Sequence, residues 1–233
     1  MHEGRRYEEN PFEDDTGAAE WIRAVEEERG QIRDRETYPR LSKWIESVGD
    51  GSVVEVGSGQ GICAERAVPD SVHYTGIEPS LPLVQRAQEI YAKENRQFIV
   101  GNAYDLPIAD GSADAAFSVN VWFHLENLER ASKELARILK PGGKFLISTP
   151  NPAEYKTWES FYRDVTKEGK KLTGAARVPG HTLSRNVFYQ HSLGEIEDAL
   201  KRAGLGVTGR EIFGYMESDK DHPLFIDIFG TRK

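Results

Sequence analysis

The sequence predicts a doubly wound α/β fold with a mostly parallel sheet of seven strands and helices on both faces. Three observations support this prediction: strand-like and helix-like segments alternate from residue 52 to 150, the glycine-rich segment VVEVGSGQG accompanies the first strand, and two strand-like segments end the chain. Strands and helices in strict succession imply βαβ crossovers and parallel pairing. Ligands bind beyond the carboxyl ends of such strands, where the connection order reverses.

The elements are predicted in chain order as follows. Between residues 17 and 48 apolar residues recur at steps of three and four, which indicates two amphipathic helices with Pro39 in the first turn of the second. Strands are predicted at SVVEVG, VHYTGIEP, QFIVGNA, DAAFSVNV and GKFLISTP, and helices at ICAERAV, LPLVQRAQEIYAKEN and ENLERASKELARILK. Ser192 and Glu195 form a capping-box pattern for a last helix, with Gly204 suited to its C-terminal cap. The strands near VTGREIF and LFIDIFG are expected to pair as an antiparallel hairpin at the sheet edge.

We expect one domain built from four parts. These are an N-terminal helical lid or cap segment (1–48), the ligand-binding core (49–150), a lid insertion (151–190), and a helix with edge strands that complete the core (191–233). The insertion is assigned because a connection of about 40 residues with little clear periodicity is unusual inside a compact domain. Tyr7 with Arg5 or Arg6 is a candidate to close over a ligand, and a disordered tail is the alternative.

Composition limits the class of partner. The 233 residues carry a formal net charge of −8, which disfavours nucleic-acid binding because that needs a concentrated basic face. The single cysteine, Cys63, excludes an internal disulfide and a cysteine-based zinc site, so we expect a cytoplasmic protein with no metal. No apolar run approaches the ~20 residues of a membrane helix, and no membrane partner is expected. Monomer and homodimer both remain open.

The turn after the first strand indicates the kind of ligand. Glycine stands at every second position, Gly57, Gly59 and Gly61, which lets the backbone approach a ligand closely. This is not the G-x-G-x-x-G spacing of dinucleotide enzymes, so a nicotinamide oxidoreductase is a remote alternative. Glu55, two residues before the first glycine, would repel a pyrophosphate and attract an ammonium group. The turn therefore predicts a ligand with a cation as well as a nucleoside.

From about residue 40 to 150 the chain resembles the class I S-adenosylmethionine-dependent methyltransferases, particularly their small-molecule, type 11-like group. Four motifs occur in the family's order: E-x-G-x-G-x-G from Glu55 to Gly61, TGIEPS with Glu78, Asn102-Ala103 followed by L-P-x-x-D-x-S-x-D, and LKPGGKFLIST. The resemblance implies a Rossmann-like sheet, S-adenosylmethionine as cofactor and S-adenosylhomocysteine as product. It also implies transfer of a methyl group to a small-molecule acceptor by in-line displacement.

The resemblance further implies which residues bind the cofactor. Glu78 corresponds to the acid that accepts both ribose hydroxyls, at a distance from the glycines similar to the ~20 residues expected in βαβ units. Asn102 stands where the family more often has aspartate, yet its amide can accept from the adenine amino group. The implied contacts are Glu55, Gly57, Ser58, Gly59, Gly61, Glu78, Pro79, Asn102, Ala103 and Asn120. Structural alternatives are a strand role for Glu55 and a helix-dipole role for Glu78.

His124, just past the fourth strand, is the candidate general base, because histidine titrates nearest to neutral pH. The alternative is structural, since His124 is in helical step with Leu128, Ala131 and Leu135. Candidate acceptor-binding residues in the insertion are Tyr155, Tyr162, Arg163, His181, Arg185 and Tyr189, where arginine would select a carboxylate or phosphate. His191 directly precedes the capping Ser192, which favours a structural role.

Two other functions remain as alternatives. One is a non-catalytic S-adenosylmethionine-binding module, because binding alone does not establish turnover. The other is a protein or tRNA methyltransferase. The sequence SVNVW follows the fourth strand in place of the N-P-P-Y type of motif found in amino-directed enzymes, and the acidic charge disfavours RNA.

Overall fold

The computed structural model describes residue 12 and residues 15–27, 32–178, 181–215 and 221–233. The strands are β1 Ser52–Val56, β2 His73–Glu78, β3 Arg96–Val100, β4 Ala113–Val119, β5 Leu139–Pro150, β6 Tyr162–Glu168, β7 Lys171–Val178, β8 His181–Tyr189, β9 Leu205–Phe213 and β10 Phe225–Arg232. The α-helices are α1 Asp15–Glu27, α2 Tyr38–Glu46, α3 Ile62–Arg66, α4 Leu81–Tyr91, α5 Leu128–Ile138, α6 Tyr155–Glu159 and α7 Leu193–Arg202. A π-helical turn precedes α2, and 3-10 turns follow β4 and β5.

The central sheet has the order β3-β2-β1-β4-β5-β10-β9. Strands β1 to β5 pair in parallel, whereas β10 pairs antiparallel with both β5 and β9. This confirms the predicted seven-stranded, mostly parallel sheet with an antiparallel hairpin at its edge. The chain order reverses between β1 and β4, so the carboxyl ends of these two strands lie side by side at the switch point where such folds bind ligands.

Alternate residues of each strand pack against helices on opposite faces of the sheet, because side chains point alternately up and down along a strand. One buried cluster contains Val54 and Ile77 with residues of α5 and α7, and the other contains Val53 and Tyr74 with residues of α2, α3 and α4. The helices on both faces are therefore as predicted. In the described part of the chain, no helix combines the length and the apolar character needed to cross a membrane.

The insertion is more regular than predicted. Residues 151–190 were expected to form a connection with little periodicity, but they contain α6 and an antiparallel sheet of order β6-β7-β8, which we call the lid sheet. The prediction was wrong because β6 is mostly exposed and lacks the alternation that marks a half-buried strand. The lid sheet is held to the core through Leu172 and Phe188, which pack on Phe123 beyond β4.

Several local signals gave the right structure. Ser192 and Glu195 form the capping box of α7, Gly204 follows that helix with φ +86°, and Pro39 lies in the first turn of α2. The fifth strand begins earlier than the predicted segment GKFLISTP, because β5 starts at Leu139 and pairs with β4 through a register shift next to Ala113. The terminal residues Arg5, Arg6 and Tyr7 lie outside the described residues.

Candidate functional site

The glycine-rich turn brings the ends of β1 and β4 into close contact. Gly57 has φ +78°, and a Cβ atom there would lie 2.3 Å from Cγ2 of Val121, which follows β4. Glycine is required at this position both for its left-handed backbone and for the approach of Val121. Gly59 has φ +52°, and within 4 Å of an added Cβ the described residues place one atom, Nε1 of Trp21, at 3.9 Å. The turn therefore presents open backbone at Gly59.

Glu78 ends β2 beside this turn. Its carboxylate accepts hydrogen bonds from the backbone N–H groups of Gly59, at 3.1 Å, and of Ser80, at 3.0 Å. Burial raises the pKa of Glu78 to about 7, against the two N–H bonds that lower it. Sequence and structure thus agree that an acid adjoins the glycine turn. Pro79, its neighbour in the chain, is exposed.

Glu55 does not open onto the groove beside Gly59. It is 1% exposed and lies on the sheet face that packs against α3, where the Tyr74 hydroxyl donates a hydrogen bond to its carboxylate. Burial raises the pKa of Glu55 to about 7, while hydrogen bonds from Tyr74 and Cys63 lower it. The carboxylate of Glu55 is therefore held by hydrogen bonds from side chains, which is close to the strand role considered above. It can affect a ligand only through its charge.

Helix α1 covers the glycine-rich turn. The side-chain amide of Gln60 donates to the carbonyl of Ile22 at 3.2 Å, and the Ser80 hydroxyl donates to the carbonyl of Phe12. The rings of Phe12 and Trp21 lie 5.2 Å apart above the same turn. Helix α1 and Phe12 therefore lie against the glycine-rich turn.

Three buried polar atoms near the turn have no hydrogen-bond partner among the described residues: Ser58 Oγ, Gln60 Oε1 and Asn120 Oδ1. Asn120 also has φ +57°, a left-handed backbone that costs roughly 1–2 kcal/mol outside glycine. Its N–H donates to the carbonyl of Ser148, which fixes it between β4 and β5. Unpartnered buried acceptors and a strained asparagine are features of a site that takes a polar ligand.

Asn102 and Ala103 follow β3, next to the end of β2. The side-chain oxygen of Asn102 accepts a hydrogen bond of 2.8 Å from the N–H of Tyr104, and Ala103 is buried. The N–H of Gly101 donates to the carbonyl of Glu78 at 3.1 Å, which joins the two strand ends. Asn102 is thus close in the fold to Glu78, with its oxygen already engaged by the backbone.

His124 connects the segment beyond β4 to the lid sheet. Its Nδ1 lies 2.6 Å from the carbonyl oxygen of Val187 in β8. Because a carbonyl only accepts, Nδ1 carries the proton and the Nε2 lone pair is left for another partner in the neutral ring. Burial lowers the pKa of His124 to about 4. Helix α5 begins only at Leu128, so His124 lies in a 3-10 turn and not on the buried stripe of that helix.

His191 also connects the lid sheet to the segment beyond β4, in the opposite direction to His124. Its Nε2 donates to the carbonyl of Leu125 at 2.7 Å, and burial lowers its pKa. His124 therefore reaches from the 3-10 turn to β8, while His191 reaches from the end of β8 back to the residue after that turn. The two bonds fix the edge of the lid sheet over the end of β4, which agrees with a structural role for His191.

The inner face of the lid sheet is aromatic. The ring of Tyr162 stacks on Phe188 at 4.6 Å, and Phe123 lies 6.4 Å from Phe188 and 6.5 Å from Trp158. Among the predicted acceptor residues, Tyr155 is half-buried, Arg163 is exposed, and Tyr189 is buried and stacked on His191. The side chains of His181 and Arg185 lie outside the described residues.

Sequence reasoning missed Asn186 of β8. It is 6% exposed, and its Oδ1 has no partner in the described part of the chain. No motif marks it, because only the pairing of β8 with β7 turns this side chain inward.

The fold and the site define the class I S-adenosylmethionine-dependent methyltransferase architecture. A methyltransferase of this cofactor class from Mesorhizobium loti has the same fold, with a TM-score of 0.63 over 87% of this chain and 99% of that one at 18% identity. Residues 54–147 match the family model described as a methyltransferase domain. The chain therefore has the fold of this class and is similar to a methyltransferase domain over residues 54–147.

Two curated relatives are similar in sequence. The O-methyltransferase rstn1 of Aspergillus nomiae is 34% identical over 130 residues, which cover 51% of this chain and 56% of that protein. The mouse tRNA (carboxymethyluridine(34)-5-O)-methyltransferase ALKBH8 is 32% identical over 135 residues, which cover 54% of this chain and 19% of that protein. The chain thus spans about half of the first relative and a fifth of the second, and the acceptors in these names belong to those proteins.

Proposed function

We propose that this chain is an enzyme that transfers a methyl group from S-adenosylmethionine to a small-molecule acceptor. The observation that supports it most is the buried carboxylate of Glu78, held 3.1 Å from the N–H of Gly59 at the switch point of the sheet. A second carboxylate, Glu55, precedes the same turn in β1 and is buried on the sheet face that packs against α3, so it would act on a ligand through its charge. Two acids at this position suit a ligand with sugar hydroxyls at one end and positive charge at the other.

The residues of the groove fit the parts of that cofactor. Glu78 is suited to accept from both ribose hydroxyls, since one carboxylate has several acceptor sites. Asn102 and Ala103, at the neighbouring strand end, are suited to the adenine edge. The unpartnered oxygens of Asn120 and Gln60 are suited to the ammonium group of the methionine part. Ser58 and the open backbone of Gly59 complete the contacts, with Gly57 and Gly61 shaping the turn.

When bound, S-adenosylmethionine supplies a methyl group that its sulfonium already makes electrophilic. The task of the chain is then to align an acceptor in line with that group and to exclude water. Helix α1 and the lid sheet are the elements that enclose the groove. His124 presents Nε2 as a proton acceptor in the neutral ring, which suits an acceptor whose proton becomes acidic as its new bond forms. Residues of the lid sheet, Tyr162 foremost, supply the acceptor surface.

A tRNA acceptor is the second candidate, favoured by the similarity to the mouse tRNA methyltransferase. The formal net charge of −8 argues against it, because affinity for RNA rests on neutralising phosphates with basic residues. A non-catalytic binding module is the third candidate, with the same groove and no turnover.

Two experiments separate these candidates. Isothermal titration with S-adenosylmethionine and S-adenosylhomocysteine tests the cofactor site, and we expect both to bind while NAD does not. Incubation with tritiated-methyl cofactor and fractionated small metabolites, bulk tRNA or protein tests the acceptor, and we expect label only in the small-molecule fraction. Binding without label in any fraction would identify a binding module, and label in tRNA would overturn the small-molecule assignment.

A further inference from the structure

We infer that Asn186 recognises the acceptor, accepting a hydrogen bond on its side-chain amide from a hydroxyl group of a planar aromatic molecule. This molecule would lie against the inner face of the lid sheet, beside the buried cluster of Phe123, Leu172 and Phe188. The inference rests on the proposed function, since it names the acceptor class of that same site.

The side-chain amide of Asn186 is buried. Asn186 is 6% exposed, and its Oδ1 is buried without a hydrogen-bond partner among the described residues. Leaving a buried polar group without a hydrogen bond is unfavourable, so a ligand that satisfies it gains affinity. Within the described part of the chain no donor occupies this oxygen, which is therefore available to a bound molecule.

The described residues around Asn186 are mostly apolar. Asn186 pairs in register with Gly174 of β7, which has no side chain to offer. Two residues further along β8, on the same face, Phe188 packs with Leu172 and Phe123 in an apolar cluster. A Cβ atom on Gly174 would meet the backbone oxygen of Arg163 at 3.0 Å, Cγ2 of Val165 at 3.2 Å and Cβ of Tyr162 at 3.4 Å. Among the described residues, the amide thus lies beside side chains that are mostly aromatic and aliphatic.

The position of Asn186 connects it to the reacting end of the groove. The next residue, Val187, accepts the hydrogen bond from Nδ1 of His124. Strand β8 packs both against the turn that contains His124 and against α1, which covers the glycine-rich turn. The amide therefore lies on the strand that bridges the candidate base and the cover of the cofactor groove.

The wall and the amide together define the chemistry of the ligand. Tyr162 and Phe188 stack on each other at 4.6 Å, and an aromatic surface of this kind favours a ligand with a flat aromatic body. An amide oxygen accepts only from a donor, so the complementary group is a hydroxyl and not an ether or a carbonyl. A site built around such a bond discriminates against the analogue that lacks the donor, because the buried amide then stays unpaired.

The test compares 2-naphthol with 2-methoxynaphthalene, titrated calorimetrically into the full chain saturated with S-adenosylhomocysteine, so that no turnover occurs. We expect the wild-type chain to bind the naphthol about tenfold more tightly than its methyl ether. Asn186→Leu should reduce this ratio to within about twofold by weakening the naphthol. Asn186→Thr, which keeps a smaller acceptor oxygen, should give an intermediate ratio. Gln190→Leu, just beyond β8, is the control and should leave the ratio unchanged.

Thermal unfolding separates recognition from a structural role. Without ligand, Asn186→Leu should have an equal or higher Tm, because it removes an unpaired buried amide. A lower Tm together with loss of both probes would assign Asn186 to the structure and overturn the inference. An unchanged ratio in Asn186→Leu, or no binding of either probe to a chain that binds S-adenosylhomocysteine, would also overturn it. Failure of the wild-type chain to bind S-adenosylhomocysteine would instead remove the proposed function on which it rests.

Discussion

The carboxylate of Glu78 accepts a hydrogen bond from the backbone N–H of Gly59, 3.1 Å away, which joins the end of β2 to the glycine-rich turn after β1. Burial raises the pKa of this carboxyl group to about 7, so the group ionises near neutral pH. A ligand whose hydroxyl groups bind Glu78 would therefore lie beside Gly59.

Cofactor affinity should rise with pH between about 6 and 8. Because its pKa is raised from 4.5 to about 7, Glu78 lowers the stability of the folded chain as pH rises from about 4.5 to 7, whereas ribose hydroxyls need the ionised carboxylate as their acceptor. Binding therefore releases a proton near neutral pH, and affinity should increase about tenfold from pH 6 to 8. Calorimetric titration of S-adenosylhomocysteine in buffers of different ionisation enthalpy measures both effects. Glu78→Gln should flatten most of the dependence, and a flat profile in the wild-type chain would contradict the assignment.

Replacing Gly57 by alanine should destabilise the fold more than the same change at Gly142. Both have similar left-handed backbones, with φ +78° and +77°, so each substitution carries the ~1–2 kcal/mol backbone penalty. Only at Gly57 would the new Cβ lie 2.3 Å from Val121, which adds a further ~1–3 kcal/mol of overpacking. Urea unfolding of the two variants gives the difference directly. The second change Val121→Ala should recover most of the loss in Gly57→Ala, and no recovery would show that the contact is not the cause.

Tyr74→Phe should destabilise the chain in a pH-dependent way. The Tyr74 hydroxyl stabilises the ionised form of Glu55, whose pKa of about 7 would rise further without it. The loss should therefore be about 1–3 kcal/mol at pH 8, where Glu55 is ionised, and smaller at pH 5.5, where it is protonated in both chains. Thermal unfolding at the two pH values is the measurement. Tyr215→Phe, at an exposed position, is the control, and an equal loss at both pH values would argue against this proton linkage.

His124→Ala and His124→Asn should distinguish proton transfer from attachment of the lid sheet. Asparagine can still donate to the Val187 carbonyl but cannot act as a base, so the two roles separate. If His124 is a general base, both variants should lose about 10²–10⁴-fold in tritiated-methyl transfer while binding S-adenosylhomocysteine within twofold of the wild type. His73→Ala, at the exposed start of β2, is the matched control. Full activity in His124→Asn would assign the residue to the lid sheet connection alone.

The parallel core was predictable because each of its signals is local. The alternation of strands and helices, the capping box at Ser192 and the glycines after β1 each follow from a few neighbouring residues. The lid sheet was not predictable, because β6 exposes most of its side chains and its strands depend on pairing with one another. Strand formation there is a property of the folded insertion and leaves little periodicity in the sequence.

The candidate site shows the same division. Glu78 and the glycines could be placed because their motifs resemble those of the family and because one crossover separates adjacent strand ends. The partner of Glu55 could not, because Tyr74 lies on another strand and meets it only through the register of β1 and β2. Asn186 likewise could not be identified from the sequence, because the absence of a hydrogen-bond partner depends on which residues surround the amide in the folded chain.

The central claim is that the ends of β1 and β2 together hold S-adenosylmethionine, and calorimetric titration of S-adenosylhomocysteine into Glu78→Ala tests it most directly. We expect affinity to fall by about 1.5–3 kcal/mol relative to the wild type, from loss of charged hydrogen bonds, while Glu89→Ala on the exposed side of α4 binds normally. Equal affinity of Glu78→Ala and the wild-type chain would contradict the claim.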